Sequence, residues 1–202
     1  MRVGTWMALF SLTLLAACTG TAPVRMKGDA AMLGAQEARE QALAGRDHWT
    51  LQGKLSVSDG KDGGPSSLTW RQQGESYELT MRLPLSGKSV RLSGDANGAL
   101  LEGLDGGPQR GTDAEALMLR ALGWQVPLHE LRAWVLGVRA SGSKAELDFG
   151  ADRLPAVLQQ DGWRVEYRAW DEKQQPAMPL KIFADRKPYS VRLAINSWAF
   201  DP

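Results

Sequence analysis

Tyr77-Glu78-Leu79-Thr80-Met81-Arg82-Leu83 alternates apolar and polar residues without a break. A period of two is the signature of a strand with one buried and one wet face. The same alternation recurs on both sides of this stretch. Trp49, Leu51, Leu55 and Val57 are interleaved with Thr50, Gln52, Lys54 and Ser56. Late in the chain Trp163, Val165 and Tyr167 alternate with Arg164, Glu166 and Arg168, and Tyr189, Val191, Leu193 and Ile195 with Ser190, Arg192, Ala194 and Asn196. Between these segments lie Asp59-Gly60-Lys61-Asp62-Gly63-Gly64, Asp95-Ala96-Asn97-Gly98 and Asp105-Gly106-Gly107-Pro108, which carry the residues that tight turns require. Connections this short join antiparallel neighbours.

The middle of the chain changes period. Thr112-Asp113-Ala114-Glu115 has the form of a capping box, and Ala114, Leu117, Met118, Ala121 and Leu122 then recur at three and four residues up to Gly123. Pro127 suits the first turn of a second helix, whose stripe is Leu128, Leu131, Trp134 and Val135, ending at Gly137. A weaker helical pattern covers residues 32–44. The expected fold is mainly β with helices: one antiparallel sheet of about nine to eleven strands that curls around an interior and is closed by two or three helices.

The N-terminus is a separate matter. Arg2 is the one charge in residues 1–5, and Trp6 to Ala17 is almost wholly apolar. That run falls short of the ~20 apolar residues a bilayer span needs, and a basic start, an apolar middle and small residues before a cut describe a cleavable secretory signal over residues 1–17. Leu15-Ala16-Ala17-Cys18 resembles the lipobox of bacterial lipoproteins, in which the cysteine is acylated and the peptide is cut before it. With no other cysteine in 202 residues, an internal disulfide is excluded and lipidation of Cys18 is expected. Each acyl CH₂ entering a membrane contributes about 0.8 kcal/mol, so a multiply acylated Cys18 anchors the chain durably. The resemblance further implies outer-membrane delivery, because Thr19 stands where an Asp would retain a lipoprotein at the inner membrane. Residues 18–31, rich in small and polar side chains, read as lipidated cysteine and tether, and residues 32–202 as one domain.

Lys and Arg number 24 against 23 Asp and Glu, which gives no expectation of a nucleic-acid surface or of strong electrostatic binding to membranes. Catalytic patterns are scarce as well. Two histidines, His48 and His129, and a single cysteine form no cluster with metal-ligand spacing, and a G-x-S-x-G elbow is absent. Gly87-Lys88-Ser89 looks like the end of a phosphate loop, but the position of the required earlier glycine holds Arg82. Ser58 to Lys61 and Ser141 to Lys144 fit S-x-x-K by chance, in turn sequences without companion motifs. His129, beside Glu130, reads as a solvated residue rather than a general base. No enzyme and no cofactor are expected.

Seven tryptophans follow the signal segment: Trp49, Trp70, Trp124, Trp134, Trp163, Trp170 and Trp198. They either plug the interior or line a concave apolar space. Trp170 and Trp198 fall on the parity opposite the apolar residues of their own strands.

Several runs, in order, resemble the LolB family of outer-membrane lipoprotein receptors. They include Trp49 to Val57, Trp70-Arg71-Gln72-Gln73-Gly74, Leu83-Pro84-Leu85, and Val126-Pro127-Leu128 leading to Leu131-Arg132-Ala133-Trp134-Val135-Leu136-Gly137. Later come Gly162-Trp163-Arg164-Val165-Glu166-Tyr167, Gln175-Pro176-Ala177-Met178-Pro179 and Asn196-Ser197-Trp198. The family's Pro-Leu-Gly appears with one residue inserted, as Pro84-Leu85-Ser86-Gly87. The resemblance implies an open half-barrel over a hydrophobic cavity, which accepts lipoproteins from a periplasmic LolA-like carrier, holds their acyl chains and places them among outer-membrane lipids. It implies that Leu83, Pro84 and Leu85 form a membrane-inserting loop, with Leu85 the contacting residue. Alternation combined with that cavity nominates Trp70, Tyr77, Trp134, Trp163 and Trp198 as acyl-chain lining, with Leu79, Met81, Leu131, Val165 and Leu193. A monomer is expected. The competing readings are a lipid-anchored scaffold with a solid core, and a carrier of another small apolar molecule.

Overall fold

In the computed structural model the described residues are 25–82 and 87–201; Cys18, Leu83, Pro84 and Leu85 lie outside them. The N-terminal half runs β1 (Met26–Lys27), α1 (Ala30–Ala44), β2 (His48–Ser58), β3 (Gly63–Gln73), β4 (Ser76–Arg82), β5 (Ser89–Asp95), β6 (Gly98–Glu102) and β7 (Gln109–Gly111). The helices α2 (Ala114–Leu122) and α3 (Leu128–Trp134) follow. The C-terminal half is β8 (Ala145–Phe149), β9 (Pro155–Gln160), β10 (Trp163–Asp171), β11 (Met178–Arg186) and β12 (Tyr189–Phe200).

All pairings are antiparallel, in the order β1-β8-β9-β10-β11-β12-β2-β3-β4-β5-β6-β7. The described residues form twelve strands, one more than the upper end of the about nine to eleven expected. The sheet is two meanders joined along β2 and β12, and it does not close into a barrel. This order dictates where the helices go. β7 is one edge, and β8 lies one strand from the other, so the chain between them must cross the sheet. It crosses over the apolar face, where Leu117, Met118, Leu128, Leu131 and Trp134 share one core with Leu51, Leu55, Trp70, Leu79, Met81, Leu92 and Leu193 of the strands.

Part of the segment read as tether belongs to this fold. Met26 and Lys27 pair with Phe149 and Asp148, and α1 begins at Ala30, capped by the Asp29 carboxylate accepting from the Met32 N–H at 2.8 Å. The cap of α2 is Asp113, accepting from Ala116, rather than Thr112 of the expected capping box. Glu115 is thereby released to accept from the His129 N–H at 3.1 Å, tying the start of α3 to α2. Pro127 is the N-cap residue of α3 and not its first helical residue.

Two β-bulges correct the parity expected for Trp170 and Trp198. In β12 the register with β2 shifts between Ile195 and Ser197, so Trp198 comes opposite Leu51, and in β10 it shifts around Ala169. Each extra residue turns the following side chains to the other face. Trp198 therefore packs 5.5 Å from Trp49, and Trp170 5.2 Å from Tyr167. Gly53 sits beside the first bulge, where a Cβ would stand 2.2 Å from the Ala194 carbonyl oxygen. Gly53→Ala must push backbone apart, and we expect a cost of about 3 kcal/mol, the upper end for overpacking. That corresponds to roughly 9 °C in a thermal unfolding midpoint for a domain of this size; an unchanged midpoint would show that the bulge yields freely.

Candidate functional site: the covered concave face

The concave face has a greasy part and a riveted part. Under α2 and the turn after it lies a residual void of about 10 Å³, lined by Leu55, Leu68, Trp70, Leu79, Met81, Met118, Trp124, Val126, Leu131 and Leu193. That is room for about one water molecule, and with no polar lining it stays dry. Of the nominated residues, Trp70, Leu79, Met81, Leu131 and Leu193 come together here. Trp134, the last residue of α3, packs its indole 6.3 Å from that of Trp163, and both are buried in the same core as Val165. Trp198 is half-buried and packs with Trp49 and Phe200. Tyr77 is half-buried at the rim.

The riveted part holds the far end of α3. Trp134 Nε1 and the Ala140 N–H both donate to Gln160 Oε1 at 3.0 Å, while Gln160 Nε2 donates to the Ala140 carbonyl at 2.7 Å and to Ser143 Oγ at 2.9 Å. Tyr167 donates its hydroxyl proton to the Trp134 carbonyl at 3.1 Å. From α1, Arg39 donates to the carbonyls of Leu136 (2.6 Å) and Gly137 (3.2 Å), and Gln36 to Gly137 at 3.1 Å. The Arg39 guanidinium also lies 4.8 Å over the Trp170 ring. Burial pushes the Arg39 pKa down to about 10, so it stays charged at neutral pH, where a cation beside the carbonyls ending a helix is favourable. Glu40 completes the clamp, accepting from Arg139 Nε at 2.8 Å and Nη2 at 2.7 Å. Burial pushes the Glu40 carboxyl up, but the hydrogen bonds from Arg139 and Gln36 outweigh it and hold the pKa below its ordinary value.

The near end has no such rivets. Among the described residues, the side-chain hydrogen bond joining 114–133 to the sheet is the exposed Arg132–Glu75 pair at 3.3 Å, and such pairs contribute ~0–1 kcal/mol. The rest of what holds this end down, among the described residues, is apolar contact, made by Leu117, Met118, Val126, Leu128 and Leu131.

A groove of about 230 Å³ opens where this loosely held end meets the β3–β4 and β5–β6 turns, lined among others by Glu75, Tyr77, Asp95, Asp113, Glu115 and Trp70. Trp70 belongs to both the groove and the void, standing between the entrance and the interior. Its indole N–H donates to Gln72 Oε1 at 3.1 Å, and Gln72 in turn donates to the carbonyls of Gly74 and Ser76. Trp163 differs: among the described residues its buried indole N–H has no acceptor.

Sequence reasoning passed over Gln72, Gln160, Gln36 and Arg39. For the first two a signal existed, since each occupies the inward parity of its strand, after Leu68 and Trp70 or after Leu158. Leu55, Leu68, Met118, Trp124 and Val126 were also left out of the expected lining.

Residues 47–198 match the family described as "LolB: Outer membrane lipoprotein LolB". The chain is 35% identical over 173 residues to an outer-membrane lipoprotein LolB of Xanthomonas axonopodis pv. citri, covering 83% of this chain and 80% of that one. To the protein of the same name from Xanthomonas oryzae pv. oryzae it is 34% identical over 189 residues, covering 91% and 87%. A LolA superfamily protein from Nitrosomonas europaea superimposes with a TM-score of 0.55 at 10% identity, over 85% of this chain and 94% of that one, a likeness of fold alone.

Proposed function

The chain belongs to the LolB family and is an outer-membrane lipoprotein of the lipoprotein localisation pathway; from that premise we propose that it takes lipoproteins from a periplasmic LolA-like carrier, shelters their acyl chains beneath α2 and α3, and releases them into the outer membrane. The observation that carries the reading is the unequal fastening of these helices. One end is clamped by Gln160, Tyr167 and Arg39, whereas the end over the void rests on apolar contacts. In the described state the void is far too small for an acyl chain, so uptake requires α2 and residues 124–131 to lift. Lifting exposes apolar surface, and an entering chain covers it again, so one set of greasy contacts replaces another at small net cost. No nucleotide is then needed, provided each acceptor binds the chains more tightly than the donor before it.

In this reading Cys18, lipidated after removal of residues 1–17, holds the domain on the periplasmic face, and Leu83, Pro84 and Leu85, in the link between the paired Arg82 and Ser89, enter the bilayer. Trp70, Leu79, Met81, Leu131 and Leu193 meet the acyl chain first, and Tyr77 stands at the entrance. Trp134, Trp163, Val165 and Trp198 border the space as it widens.

Transfer of a purified lipoprotein from its carrier to this chain, followed by pull-down, tests the function directly. Acyl-chain titration adds a local readout: Trp70 and Trp124 line the void, so their emission is expected to shift on binding. The near-solid core favours a second reading, a lipid-anchored scaffold that binds no ligand. Flat fluorescence together with absent transfer would establish the scaffold instead.

A further inference from the structure

The balanced charge of the sequence conceals a segregation that the sheet creates on its convex face. Along β3 to β6 the outward charges alternate as a ladder, Arg71–Glu78–Arg91–Glu102, with spacings of 3.9, 3.9 and 2.9 Å. Across β10, β11, β12 and β2 they do not balance. Phe183 faces outward, with Arg168 4.5 Å, Arg192 4.7 Å and Lys181 5.5 Å from its ring. Glu166 is shared by Arg25, Arg164 and Arg168, and Asp185 pairs with Arg192. The register then extends the cations sideways. Lys181 pairs with Ala194, Ala194 with Lys54, Lys54 with Ser67, and Ser67 with Arg82, placing Lys181, Lys54 and Arg82 on one cross-strand row. With β1 and β8, which continue the same face through Gln159 and Val157, eight cations, Arg25, Lys27, Lys54, Arg82, Arg164, Arg168, Lys181 and Arg192, stand against four carboxylates, Glu146, Asp148, Glu166 and Asp185, in a chain whose formal net charge is +1.

We propose that this convex patch docks on the anionic phospholipid headgroups of the membrane that carries the anchor, and so fixes the domain's orientation there. The inference rests on the anchored reading given above. Two placements select a bilayer over other anionic partners. Seven residue steps separate Cys18 from Arg25, a reach of at most about 25 Å, and the Arg25 guanidinium lies on Glu166 within the patch. An acylated Cys18 therefore cannot leave the bilayer farther than that from the patch. At its other end the cation row terminates at Arg82, the residue from which the chain enters the Leu83–Leu85 segment. The points from which the anchor tether and the proposed inserting loop leave the described fold, Arg25 and Arg82, thus both belong to the patch. Arg168, Arg192 and Lys181 lie over the Phe183 ring, an arrangement in which long basic side chains cover apolar surface while their charged heads stay in the polar layer.

Each basic side chain brought to an anionic leaflet strengthens association about fivefold, and the effect fades beyond a Debye length. The test uses the full-length chain purified from membranes and reconstituted into vesicles of phosphatidylethanolamine with or without one quarter phosphatidylglycerol. Lysine acylation is read by mass spectrometry. Lys54 and Lys181 are expected to label severalfold more slowly in the anionic vesicles, with 0.5 M salt restoring the rate. Lys173, in the β10–β11 turn at the far strand ends, should label alike in both. Lys181→Glu should likewise remove the protection at Lys54. Equal labelling in the two vesicle types would overturn the proposal, and protection appearing only on addition of an acidic periplasmic protein would assign the patch to that partner instead. The N-terminal peptide's mass reports Cys18 acylation separately. Were it unmodified, the anchored reading would fail, and the comparison repeated with the chain added to preformed vesicles would decide the patch.

Discussion

Gln160→Leu is expected to lower stability by about 4 kcal/mol, more than any other single substitution considered. The side chain is 2% exposed and satisfies four groups at once: the Trp134 indole, both backbone groups of Ala140, and Ser143. Leucine fills similar space but leaves the indole N–H, the Ala140 N–H and the Ala140 carbonyl without partners. Each buried polar group so stranded costs about 1–3 kcal/mol, partly relieved where Ala140 can admit water. The expected fall in the thermal midpoint is roughly 12 °C. A second consequence separates this from mere destabilisation. Gln160 belongs to the clamp on the fixed end of α3, so its loss should raise hydrogen exchange first around residues 134–140, with β4 and β5 unaffected. A midpoint within 2 °C of wild type, by the conversion used above, would mean that the clamp is redundant.

How much of this was legible beforehand depended on whether the pattern was local. β2, β4 and the parts of β10 and β12 before their bulges alternate and could be read directly, because one face of each is buried and the other wet. β9 could not, since four consecutive residues from Pro155 to Leu158 are buried and the period vanishes. The bulges were invisible for a related reason. An extra residue such as Asn196 changes nothing in composition, yet it reverses the side on which Trp198 lies. On α1 the inward stripe is Met32, Gln36, Arg39 and Leu43, half of it polar, and a charged residue at helical spacing ordinarily belongs to a solvated face. Its burial became intelligible only once the carbonyls of Leu136 and Gly137 were seen to face it. The site was legible as a set of apolar residues but not as a state. The side chains that would border an open hollow are those that fill it when the helices close, and tight packing makes the two sets identical in sequence.

Leu85→Glu carries the largest functional effect we expect, and it should fall on one step only. If Leu85 enters the membrane as the family resemblance implies, exchanging a leucine for a carboxylate in apolar surroundings costs about 3 kcal/mol on insertion scales. That is about a hundredfold in the equilibrium for loop insertion. Uptake from the carrier draws on a different part of the molecule, the groove at Trp70 and the loosely held end of α2, and should proceed at the wild-type rate. Loaded protein should then accumulate, with cargo detectable on the chain and missing from the membrane fraction. Stability should stay close to wild type, because the change falls in the link between Arg82 and Ser89, whose flanking pairs are made by backbone groups. Leu85→Ala should give an intermediate rate, since it removes apolar area without adding charge. Wild-type deposition by the glutamate variant would assign release to another surface, and loss of uptake along with deposition would show that the link also contacts the carrier.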